Sequence, residues 1–303
     1  MESLSDLRCF CEYIAKKYGS PSEASEEDKA EEFRSVYLND RPPNLRMLKV
    51  VAATCGVHVN GIDGKRLPGN IRGYYDAFED KRNIYYRRGD TVSGIENTIL
   101  HEFREMIEPV FAEVCPDYSP LRTSAVHLAA NRFAAAVLLP KDGFRDKIYQ
   151  TGFDIGALSR IYSKSSSQVL LRMGEVLRGR IFFYGAIYEL DSEHNTWTLT
   201  YWTGSNSEDE EANVYGADRF FPKKGRSVES GSLVDMAIKR KKACLVEYIK
   251  LVSEEDEGLV ALANPLNGSR VTLVVLLREN SDLLAPQVQR VRPIVIEGFY
   301  QHL

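Results

Sequence analysis

The run IENTILHEFREMIEPVFAEVC (95–115) constrains this chain more than any other stretch. Ile95, Ile99, Phe103, Met106 and Ile107 recur at helical spacing and form one apolar stripe. Ser93-Gly94-Ile95-Glu96 fits a capping box, which predicts a helix start with Ser93 as N-cap. Pro109 is expected to bend or break the helix. Within it lies His101-Glu102-Phe103-Arg104-Glu105, or H-E-x-x-E. Positions 101 and 105 project from one helix face about one turn apart. An imidazole and a carboxylate so placed can reach one metal ion. Glu102 lies about 100° round the helix, where a carboxylate in H-E-x-x-H zincins acts on water instead of ligating. A His and a Glu at this spacing are more often a solvated pair, so a third ligand decides the matter.

Elsewhere the pattern predicts an α+β chain. Leu7, Phe10, Cys11, Ile14 and Ala15 read as a first helix that ends before Gly19-Ser20-Pro21. A second runs from near Pro43 to Gly56. Residues 58–59, 71–78 and 83–87 read as a small antiparallel sheet. A helix over 123–139, with Val126, Ala130, Phe133, Ala134, Val137 and Leu138 inside, stops at Pro140. Two short helices flank 163–166. Beyond Gly179 come strands near 181–190, 196–203, 243–250, 258–264 and 270–278, an acidic loop (205–211), and helices near 231–241 and 283–301. They predict a sheet of about five antiparallel strands.

The run GNIRGYYDAFEDKRNIYYRRGDTVSGIENTILHEFREMIE (69–108) resembles the ImmA/IrrE metallopeptidases: a Gly-Tyr strand, a second strand, then the metal helix. HLAANRFAAAVLLP (127–140) is similar to that family's second signature, E-x-x-A-N-x-F-A-x-x-L-L-x-P. Ala130, Asn131, Phe133, Ala134, Leu138 and Pro140 match in register, and Val137 replaces a Leu. The family's third ligand is the Glu four residues before the Asn; here that position is His127. The family supplies His, His, Glu, and this chain would supply His101, Glu105, His127, the same two imidazoles and one carboxylate. With five His in 303 residues, chance places one at a given position about once in sixty. A swap with the site retained is the better account. The three donors are then expected within about 4 Å of one another.

The resemblance implies a zincin-like metallopeptidase core over 1–150, a helix-turn-helix-like helical segment over 151–179 and a GAF-like α+β sensor domain over 180–303. It implies Zn2+, with Mn2+ as the alternative ion, and Glu102 as the catalytic base. The strand holding Ile71, Gly73, Tyr74 and Tyr75 would pair with an extended peptide, and Tyr74 or Tyr75 would help hold an oxyanion. The expected activity is that of a regulatory endopeptidase cutting a helix-turn-helix repressor of the XRE class in a stress or mobile-element response. The alternative is a catalytically inactive metal-binding or GAF-type sensor protein.

Bulk properties fit. A formal charge of −4 gives no global attraction to nucleic acid or anionic lipid. The 151–179 segment lacks the usual turn Gly and is not strongly basic, so direct nucleic-acid binding is not expected. No apolar run approaches a membrane span. Five scattered cysteines and an N-terminus without an unbroken apolar segment point to the reducing cytoplasm. Glu108 reads as an exposed carboxylate, His58 and His194 as structural or exposed, and a small-molecule ligand of the GAF-like domain is unreadable.

Overall fold

The computed structural model describes residues 6–69, 71–78, 81–205, 224–249 and 258–284. The described residues are α+β with two sheets, and the chain divides into two compact units, Met1–Lys141 and Asp142–Leu303.

The first unit runs α1 (Leu7–Tyr18), α2 (Glu26–Phe33) with a π-turn over Arg34–Leu38, α3 (Leu45–Thr54), β1 (Val57–Ile62), β2 (Gly73–Phe78), β3 (Lys81–Arg87), α4 (Val92–Val114) and α5 (Thr123–Leu138). Phe33 of α2 is the hub of its helical core. Its ring lies 6.1 Å from Phe10 of α1, 5.2 Å from Phe103 of α4 and 5.6 Å from Phe133 of α5, all edge-on, the geometry that aromatic quadrupoles favour. The Arg34 guanidinium adds a bond to the Ala136 carbonyl at 2.7 Å.

The sheet order is β1-β3-β2. The sequence suggests a purely antiparallel sheet, but only β2 and β3 form a hairpin; β1 runs parallel to β3. A β1 that skips its sequence neighbour to pair with β3 needs no reversal, and alternating apolar residues carry no sign of direction. This order leaves β2 at an edge. Gly73 sits where an added Cβ would collide with Thr98 of α4 and the Tyr85 carbonyl, so a side chain there would lift the strand off the helix.

Helix α4 starts earlier than the sequence suggests. Thr91, not Ser93, is the N-cap, and its hydroxyl accepts the Gly94 N–H at 3.1 Å. Nor does Pro109 end the helix, which continues to Val114; the proline only leaves the Glu105 carbonyl without its i+4 donor.

Two helices had no sequence forecast. One is α2, whose EEDKAEEF run has no apolar stripe yet buries Lys29, Ala30, Glu32 and Phe33. Glu32 accepts from Tyr13 at 2.6 Å and Tyr18 at 3.1 Å, and pairs with Lys17. Burial pushes its carboxyl up, but these three partners together hold it below the usual range. The other is α6 (Lys141–Gln150), which apart from Lys141 falls in the second unit.

That unit continues with α7 (Ile155–Tyr162), α8 (Ser166–Val176), β4 (Phe183–Asp191), β5 (Thr196–Ser205), α9 (Leu233–Arg240), β6 (Cys244–Ile249), β7 (Gly258–Asn267) and β8 (Arg270–Leu277). The five strands make one antiparallel sheet, ordered β5-β4-β8-β7-β6. Leu233, Val234 and Ala237 of α9 join Tyr184, Tyr188, Ala261, Leu273 and Val275 in the core against the sheet. Helix α8 buries Val169, Leu170, Met173 and Val176, and Gly174 approaches Thr203 of β5 too closely for a Cβ. The segment read as a helix-turn-helix-like appendage is therefore packed into the same unit as the sheet. The acidic loop beyond Ser205, the terminal helix expected near 283–301 and His302 lie outside the described residues.

The buried charge in the first unit yields a stability prediction. Arg104 is fully buried and bonds Glu26 at 2.7 and 2.9 Å and Glu108 at 2.8 Å. Arg104→Met removes the counter-charge of the buried Glu108 and one of the two cations on the partly buried Glu26, a loss of up to about 3–5 kcal/mol. Denaturant unfolding of the two proteins measures it; a loss under about 1 kcal/mol would show that the cluster does not hold α2 to α4.

Candidate metal centre

The site is built on one strip of α4 and one of α5. On α4, His101 and Glu105 lie one turn apart; on α5, so do His127 and Asn131. The two strips face each other. His101 Nε2 stands 3.1 Å from Glu105 Oε1, and His127 Nδ1 stands 3.2 Å from the same oxygen. The two imidazole rings are 4.5 Å apart, edge to face. Across the top, His101 Nδ1 lies 3.0 Å from Asn131 Oδ1. The strip is open on one side: the His101 and Glu105 side chains are 10% and 22% exposed, that of His127 65%.

His101, Glu105 and His127 could together hold a metal ion: one ligand atom from each lies within 4.8 Å of the others. The two distances to Glu105 meet the 4 Å expectation, while the set as a whole closes only to within 4.8 Å. In a tetrahedral site with ligand bonds of about 2.0–2.1 Å, donors stand about 3.4 Å apart. The 3.1 and 3.2 Å separations match that edge. Two imidazole nitrogens converging on one carboxylate oxygen also need a proton or a cation between their lone pairs, so the donor chemistry fits a divalent ion.

The electrostatics agree. Hydrogen bonding from His101 holds the Glu105 carboxyl below its usual range against the opposing effect of partial burial, and His127 adds to it. Glu102 is the reverse case. Burial pushes its carboxyl from the usual 4.5 up to about 7, with Glu105 adding to the rise and His101 and the Tyr75 backbone N–H opposing it. One helix thus carries an ionised carboxylate among the donors and, beside it, a carboxyl poised near neutrality.

The strand residues separate. Ile71 precedes β2, in a turn where its carbonyl and those of Pro68 and Gly69 accept from Arg87; the sequence offered no sign of that arginine's role. Gly73 serves the close approach to α4. Tyr74 is exposed and stacks on Tyr85 at 4.9 Å. Tyr75 faces the centre: burial raises its hydroxyl pKa, and the charges of Glu105 and Glu102 raise it further. The Arg87 N–H donates to the Arg72 carbonyl at 2.8 Å, which sets the phase of the hairpin. Residues 72, 74 and 76 pair with β3, whereas 73 and 75 turn their backbone groups to the other edge, where the Tyr75 N–H meets Glu102.

Glu108 is corrected. It is buried, accepts from Tyr118 at 2.6 Å, from the Leu121 N–H at 2.7 Å and from Arg104, and so anchors the loop that leads into α5. Burial pushes its carboxyl up, but these partners hold it below the usual range. His194 pairs with Asp191 at 2.7 Å in the turn after β4.

No family model matches the sequence, and no curated protein matches it. Among solved structures the chain is similar to a Mycobacterium tuberculosis transcriptional regulator, at 14% identity and a TM-score of 0.54, over 92% of this chain and 83% of that one. The two share a fold. Among the described residues no helix is long and apolar enough to cross a membrane.

The raised Glu102 carboxyl makes the metal-free protein pH-sensitive. Its folded pKa lies above the unfolded value, so the stability it contributes is full below about pH 4.5 and is lost as pH rises to about 7. Metal-free Glu102→Gln therefore gains on the parent over that window, by up to ~3 kcal/mol above neutrality. Unfolding free energies at pH 4.5 and 8 test this; an equal difference at both pH values would rule out an elevated carboxyl.

Proposed function

We propose that this chain is a zinc-dependent regulatory endopeptidase of the ImmA/IrrE kind, with a zincin-like first unit and a GAF-like sensor in the second. The substrate would be a helix-turn-helix repressor of the XRE class. The observation that carries the reading is the convergence of His101, Glu105 and His127 beside the buried carboxyl of Glu102. A structural metal site has no use for a carboxyl beside its ligands that does not itself ligate; a hydrolytic one needs a base there. The antiparallel five-stranded sheet of the second unit, with α9 packed against it, supports the GAF-like reading. The regulator-like fold supports a role in gene control.

The ion's contribution would be Lewis acidity toward a peptide carbonyl and toward water. The protein's own groups do the rest. Glu102 would take a proton on its carboxylate and return it to the leaving amine, a task for which its place beside the donors suits it. The backbone groups of Gly73 and the Tyr75 carbonyl, at the edge away from β3, would pair with an extended substrate segment and lay its carbonyl across the centre, the Tyr75 N–H being held by Glu102. The Tyr75 hydroxyl is raised in pKa and thus stays protonated, able to donate to charge developing on that carbonyl.

The alternative is a catalytically inactive metal-binding or sensor protein, favoured by the exchange of Glu and His relative to the family's ligand order. Incubation with Zn2+ or Mn2+ and the repressor encoded beside its gene separates the two. Cleavage is expected from the parent, and at least about a hundredfold less from Glu102→Gln at nearly unchanged metal affinity. Equal cleavage by both proteins would show that Glu102 is not the base.

The exchange itself can be tested. Glu105→His alone gives three imidazoles and would raise the Lewis acidity of the ion, and His127→Glu alone gives two carboxylates with the opposite effect, so each should lose activity. The double variant restores one carboxylate and two imidazoles in the family's order and should recover much of it. Metal content and cleavage across the four proteins decide it. A double variant no better than the worse single one refutes the exchange.

A further inference from the structure

We propose that Asn131 is the positioning residue of the metal centre: its amide oxygen accepts the Nδ1–H of His101, fixes that tautomer, and aims the Nε2 lone pair at the ion. The inference rests on the metal-binding reading of His101, Glu105 and His127. It begins from the 3.0 Å contact between His101 Nδ1 and Asn131 Oδ1. An amide oxygen can only accept, so the ring nitrogen facing it must carry the hydrogen. Once an ion replaces the proton that the metal-free His101–Glu105 pair shares, the ring is neutral and its lone pair is on Nε2, the atom that faces Glu105 Oε1 at 3.1 Å. One hydrogen bond thus selects both the protonated nitrogen and the direction of the other.

A packing role does not account for this residue. Ala130, Phe133 and Ala134 carry α5 into the core, whereas Asn131 is exposed. Its side chain reaches back across the interhelical gap to the one ligand that is nearly buried. The exposed His127 is already on the same helix strip, one turn before Asn131. A single face of α5 therefore supplies one donor directly and orients another on α4. A ligating imidazole held at its second nitrogen is more basic and loses less rotational freedom on binding, effects that together are commonly worth 10- to 100-fold in metal affinity.

The test measures Zn2+ and Co2+ affinity of the full chain by competition with a chromophoric chelator. Asn131→Ala should weaken binding by about 10- to 100-fold. Asn131→Asp, whose carboxylate also accepts from Nδ1–H, should recover most of that loss, which a general loss of helix packing would not allow. In 15N-labelled metal-free parent protein, the ring shifts of His101 should show Nδ1 protonated, a measurement that needs no variant to fold. Equal affinity in Asn131→Ala and the parent, Asp no better than Ala, or a bare Nδ1 would each overturn the role of Asn131. A parent chain that binds neither ion would instead sink the metal reading itself, and this inference with it.

Discussion

The structure depends on a guanidinium with no access to water. Arg104 is charged and fully buried, so the fold must surround it with negative groups, and it does so from two directions. Glu26 comes from the start of α2 and Glu108 from the next turn of α4 itself. Lys29 bonds Glu26 in turn, and both cations lie 5.8 Å from the face of the Phe111 ring. Satisfying one arginine thereby fixes α2 against α4. Through the Glu108 bonds to Tyr118 and Leu121, it also fixes the approach of α5. Such a cluster adds little net stability over apolar packing, but it allows few alternative arrangements, since any slip strands a charge.

That constraint explains how α4 serves three purposes round its circumference. Phe103 and Ile107 go into the core, Arg104 and Glu108 into the charged seam, and His101 and Glu105 face α5. The seam lies only about 60° from the donor strip. The groups that place α5 are thus the immediate neighbours of the groups that meet it.

The three candidate donors were legible because each strip announces itself locally: an i, i+4 pair on α4, and on α5 a stretch whose resemblance to a family signature singles out His127. What stayed hidden depends on partners far away in sequence. Glu26 and Arg104 are 78 residues apart, and nothing around Glu108 distinguishes it from a solvated carboxylate. The same blindness concealed α2, a helix buried through paired charges where periodicity looks for apolar residues. The Thr91 cap was missed because Ser93, two residues on, offers an equally good local motif. Asn131 was visible only as a matched letter; its bond to His101 needs two helices in place.

Consider what the open side of the donor strip means for loading. The Phe33 cluster and the Arg104 seam complete the core of the first unit through protein contacts alone. Small zinc modules, by contrast, collapse only around their ion. Here the outermost donor, His127, stands at the surface. Any ion held by the three residues would thus meet a surface already built, reaching it past that ring with the core complete beneath it.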